Sequence, residues 1–143
     1  MSLFKQFGTN KNLERTGITV RYDDDDDAPD GVESPEFTVA RAGGSNTAYQ
    51  KALDREMKPL RRAMIANTVS METLNRLQRK VFIETCLLGW KHVRDAAGKL
   101  IEFSKEAAEK LFTELPELYD DLTRQASTVS LFQIDVEADA KNS

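Results

Sequence analysis

The stretch SMETLNRLQRKVFIETCLLGW, residues 70–90, decides how the chain is read. Ser70 has the side chain to cap a helix. After it Leu74, Leu77, Val81, Leu87 and Leu88, joined by Phe82, Ile83 and Cys86, return at helical spacing to make one apolar face. That face widens toward its C-terminal half, so the spacing predicts a helix from Ser70 whose second half lies deep in a core, ended by Gly89. Trp90-Lys91-His92-Val93 then leads into a turn, Asp95-Ala96-Ala97-Gly98-Lys99, and Leu100-Ile101-Glu102-Phe103 reads as a short extended return.

Working toward the N-terminus, Ala42-Gly43-Gly44-Ser45-Asn46 is a breaker in which Ser45 or Asn46 can cap the helix that follows. In that helix Tyr49, Leu53, Met57, Leu60 and Met64 form an apolar stripe, with Lys51, Arg55, Lys58, Arg61 and Arg62 on the other sides. Pro59 is expected to kink or divide it after Lys58. Ile18-Thr19-Val20-Arg21-Tyr22 and Phe37-Thr38-Val39-Ala40-Arg41 alternate as short strands of an antiparallel ribbon that must lean on helices. Gly8 to Gly17 is polar and reads as loose. Between the strands lies Asp23-Asp24-Asp25-Asp26-Asp27, a run expected to be a solvated, flexible acidic loop. As a calcium loop it fails, because the sixth position from Asp23 is Ala28 and the twelfth is Ser34.

Toward the C-terminus, Ser104 is placed to cap a helix over Lys105 to Glu114, and Pro116 suits the first position of another. The last helix is predicted to run through Leu118, Tyr119, Leu122, Ala126, Val129 and Phe132 and to fade over Asp135 to Ser143. The fold class is therefore mainly α: a single helical domain with a small N-terminal β-ribbon and an acidic flexible loop. Residues 1–35 are assigned to a loosely ordered segment with one strand and the acidic loop, and residues 36–143 to the helical domain with a frayed tail.

The 143 residues suffice for one domain with a core that needs no disulfides. One cysteine excludes an intramolecular disulfide or a Cys-ligated zinc site, and one histidine leaves nucleophilic triads and His-rich metal centres short of parts. No enzyme activity, metal or cofactor is expected. The longest apolar candidate, Val81 to Trp90, is interrupted by Glu84 and Thr85, so neither export nor a membrane span is expected. The net charge of −4 divides into −4 over residues 1–35, +3 over 36–68, +2 over 69–103 and −5 over 104–143. A basic middle thus sits between acidic ends.

Arg55, Lys58, Arg61 and Arg62 form a basic surface that could meet phosphates, which makes a small helical DNA-binding regulator the alternative function. The acidic ends compete for the same surface, and no nucleic-acid partner is expected. His92 and Asp95 are spaced for a local polar contact, Glu114 and Glu117 read as helix-start charges, and Cys86 reads as a small buried hydrophobe. Trp90 either fills the core or anchors a partner.

Several pieces taken in order, Gly43 to Tyr49, Gly89 to Gly98, Phe103-Ser104-Lys105-Glu106 and Leu115-Pro116-Glu117-Leu118-Tyr119-Asp120, make the chain resemble the small tail assembly chaperones of long-tailed bacteriophages. Ala96-Ala97 departs from the more polar turn expected before Gly98. The resemblance implies a non-catalytic protein that binds the tape measure protein, keeps it soluble and helps recruit tail tube protein. It further implies action in the cytoplasm of the infected bacterial host and absence from the mature virion. A homo-oligomer and a longer product of ribosomal frameshifting are further associations it admits, and Lys141-Asn142 can be encoded within a slippery run. Trp90, Leu118, Leu122, Val129 and Phe132 are the expected partner-binding residues, since an amphipathic helical domain can offer an apolar groove to a helix.

Overall fold

In a computed structural model, described over residues 2–23 and 33–133, the chain is mostly helical with a small antiparallel sheet. In order come α1 (Leu3–Phe7), α2 (Lys11–Thr16), β1 (Ile18–Arg21), β2 (Glu36–Val39), α3 (Thr47–Met57), a 3₁₀ turn (Lys58–Leu60), α4 (Arg61–Ile65) and α5 (Met71–Thr85). After these come β3 (Leu87–Lys91), α6 (Lys105–Glu114), α7 (Pro116–Ala126) and a second 3₁₀ turn (Val129–Phe132). The acidic run beyond Asp23 and the tail from residue 134 lie outside the described residues.

Local chemistry sets the helix starts. Ser70 accepts a hydrogen bond from the Thr73 N–H, Ser104 accepts one from Ala107, and Pro116 opens α7. Pro59 divides the basic helix as expected, turning one stripe into α3, a 3₁₀ turn and α4. Asn46 sits at the N-cap of α3 but does not cap it. Its buried amide instead donates to the carbonyls of Arg41 (2.8 Å) and Thr85 (3.0 Å), tying the breaker loop to the end of α5.

The predicted end of α5 needs correcting. The helix stops at Thr85, not Gly89, and Leu87–Lys91 form a third strand. Strand order is β1-β2-β3, with Val20 opposite Phe37 and Phe37 opposite Trp90. The open edge of β2 supplies the hydrogen bonds that draw Leu87–Lys91 out of helix, while Thr85 Oγ1 bonds back to Val81 O at 2.7 Å. A short apolar run fits strand and helix alike, and here tertiary pairing decides. The extended return after the Asp95 turn is a single bridge, Arg94 to Leu100, and no strand.

Two further corrections concern the ends. Gly8 to Gly17, read as loose, contains α2, whose Glu14 is buried. The last helix ends at Ala126, six residues short of Phe132. Thr128 Oγ1 donates to Arg124 O at 2.7 Å, satisfying a terminal carbonyl, and the chain swings into the 3₁₀ turn.

The core is continuous from sheet to helices. Phe37 meets Trp90 edge-on at 5.9 Å, Trp90 meets Phe103 at 5.1 Å, and Phe82, Phe112 and Tyr119 form a second ring cluster under α5, α6 and α7. Cys86 is fully buried among these elements, and burial pushes its thiol up to about 11. Alkylation of Cys86 at pH 8 is therefore expected to run at least about tenfold slower in the folded protein than in urea, followed by mass spectrometry.

Candidate functional site

Of the five apolar residues expected at a partner surface, two are buried and three are half-buried. Leu122 and Phe132 have no exposed surface, and Leu118 and Val129 are half-buried. Trp90 is held on three sides: its Nε1–H donates to Ile101 O at 2.9 Å and its ring packs against Phe37 and Phe103. Trp90 and Leu118 line the core that supports the fold.

The basic surface divides. Arg55 Nη2 reaches both oxygens of Glu84, at 3.0 and 3.2 Å, and so is committed to a carboxylate of α5. Lys80 likewise holds Glu56 at 2.8 Å, and the neighbouring cations keep that carboxyl below the ordinary carboxylate value, its hydrogen bond to Lys80 leading. Lys58, Arg61 and Arg62 are exposed and form no ion pair with a described residue. They lie on the 3₁₀ turn and α4, a segment that packs appreciably against no helix or strand outside its own run.

On the same segment the apolar stripe runs out into solvent. Tyr49, Leu53 and Met57 are half-buried on α3, which packs on α5, and Leu60 is half-buried on the 3₁₀ turn, but Met64 is 40 % exposed and Ile65 is 88 % exposed. Met71, the first residue of α5, is 69 % exposed. The hairpin formed by α3, α4 and α5 thus carries, between Lys58 and Met71, three exposed large apolar side chains and three cations with no ion pair to a described residue. Sequence periodicity places Met64 on the apolar stripe, and spacing alone does not show that the stripe runs on into solvent there.

Other features carry less. An open groove of about 710 Å³ between α5 and α6 has Ile83 at its floor, but Lys80, Glu84 and Glu109 on its rim are already spent on ion pairs with Glu56, Arg55 and Arg79. Leu3, Phe4 and Phe7 are exposed on the five-residue α1. His92 does not pair with Asp95: its Nε2 lies 2.5 Å from Glu33, while Asp95 accepts from the Ala97 and Lys99 N–H groups of its own turn. Among the described residues no His, Cys, Asp or Glu cluster could hold a metal ion, and no helix is long and apolar enough to cross a membrane.

The family model described as YdaY prophage protein matches residues 44–142. The chain belongs to this family. It is accordingly phage-derived, and the matched stretch begins at Gly44 and takes in the whole basic hairpin. Tail assembly does not enter the family's description, so the match carries the phage origin alone. Comparisons with curated proteins and with solved structures gave no match.

Proposed function

We propose that this YdaY-family protein is a tail assembly chaperone: a non-catalytic binding module that holds helical segments of the tape measure protein in solution and helps bring tail tube protein to it. It would act in the cytoplasm of the infected host and leave before the virion is complete. The observation that supports the reading best is the exposed apolar tip of the hairpin, Met64, Ile65 and Met71. Large exposed apolar patches on a small folded protein mark interaction sites. Covering each of these side chains with a partner helix would contribute up to about 1.5–3 kcal/mol.

The phage's tape measure protein, expressed with this chain, is expected to stay in the soluble fraction and to co-purify with it. The double variant Ile65→Asp, Met71→Asp should lose at least about half of that soluble material while keeping its own circular dichroism, since both positions are solvent-facing. Equal tape measure solubility with and without the chain would overturn the reading. A second reading, a small DNA-binding regulator, draws on the exposed Lys58, Arg61 and Arg62. It requires affinity for duplex DNA that falls steeply with salt.

A further inference from the structure

We infer that the tip of the α3–α5 hairpin selects an amphipathic partner helix flanked by carboxylates, with Arg61, Arg62 and Lys58 reading the acidic flank and Ile65, Met64 and Met71 the apolar face. This rests on the chaperone reading for the identity of the partner, but the recognition chemistry is set by the tip itself. Along the body of the hairpin Arg55 is answered by Glu84, Arg79 by Glu109 and Lys80 by Glu56, while Lys51 and Arg76 stand singly without an ion pair to a described residue. At the tip three cations that form no ion pair with a described residue, Lys58, Arg61 and Arg62, share one short segment with the exposed Met64 and Ile65, and Met71 follows it. A complementary occupant must supply both carboxylates and an apolar cover. Phosphate backbones offer nothing to cover Ile65, and the tip has no aromatic ring on which a base could stack. All methionines beyond Met1, namely Met57, Met64 and Met71, lie on this hairpin. Their unbranched, polarizable side chains adapt to helices of differing sequence, which suits a surface that must accept successive segments of a long partner.

The probes are two synthetic peptides of about 20 residues, long enough for helix formation, with the same leucine face and either glutamate or lysine on its flanks. Fluorescence anisotropy against the full chain is expected to give at least about tenfold tighter binding of the glutamate peptide, and Arg61→Glu with Arg62→Glu should reverse the preference. Ile65→Asp should weaken both peptides in the same measurement. Equal binding of the two peptides, no binding of either, or a preference that survives the charge reversal would overturn the inference. So would tighter binding to a duplex of about 20 base pairs, or to vesicles containing phosphatidylserine, that is lost in the same double variant. Peptide preference and tape measure solubility are read separately: a preserved preference without rescue of the tape measure would count against the chaperone reading only.

Discussion

Leu122→Asp is expected to leave the chain unfolded, or to cost more than about 5 kcal/mol, even though Leu122 reads from the sequence as a partner contact. Leu122 lies on α7 with no exposed surface, inside the cluster that includes Phe82, Phe112 and Ala126. Truncating a buried leucine costs about 2–5 kcal/mol by lost transfer and cavity energy, and a carboxylate in its place adds an uncompensated buried charge. Phe132→Asp should behave the same way, because Phe132 is also fully buried and its carbonyl accepts the Asn10 N–H at 2.8 Å, joining the C-terminal turn to α2. Leu115→Asp is the contrast. Leu115 is 50 % exposed at the α6–α7 junction, and its replacement should stay within about 1 kcal/mol in urea titrations followed by circular dichroism. A Leu122→Asp protein as stable as Leu115→Asp would contradict this placement of α7. Loss of partner binding in Leu122→Asp or Phe132→Asp would therefore report on folding, whereas loss in Ile65→Asp reports on contact.

Helix starts were legible in the sequence because a cap is local: Ser70, Ser104 and Pro116 each act within three residues of themselves. The end of α6 at Glu114, just before Pro116, was legible too, but the ends of α5 and α7 were not. Thr85 ends α5 because β2 offers an edge to Leu87–Lys91 and because Asn46, far away in sequence, takes the Thr85 carbonyl. Neither partner can be read from the local spacing. The same asymmetry governs the site. Periodicity names which side chains are apolar, but burial depends on what stands opposite, so Leu118, Leu122 and Phe132 pack into or against the body while Met64, on an equally regular stripe, extends past it. The basic surface was legible as charge, and its division into Arg55, held by Glu84, and the exposed Lys58, Arg61 and Arg62, which pair with no described residue, depended on which carboxylates α5 brought near. α2 left almost no apolar trace, since what docks it is a glutamate.

That glutamate is expected to be the most valuable polar side chain in the fold, and Glu14→Gln should cost about 2–3 kcal/mol at pH 7. Glu14 is only 2 % exposed, accepts from Arg41 and from Thr9 Oγ1 at 2.9 Å, and its backbone carbonyl takes the Arg41 N–H at 2.8 Å. Burial pushes its carboxyl upward, but the hydrogen bonds from Arg41 and Thr9 and the guanidinium charge together outweigh burial and hold it below the ordinary value of 4.5. A lowered folded value means stability that is present above about pH 4.5 and is lost as pH falls through the folded value. The gap between wild type and Glu14→Gln in urea unfolding should consequently narrow as the pH is lowered below that point, and a gap independent of pH would refute the pairing. Gly44 belongs to the same lock. It holds φ at +55°, and a Cβ there would clash with Glu14 Oε2 and lie 2.6 Å from Arg41 Nη1. Gly44→Ala should thus destabilise the protein by a similar amount through the same ion pair. Because both changes break one interaction, the double variant is expected to lose less than the sum of the two single losses.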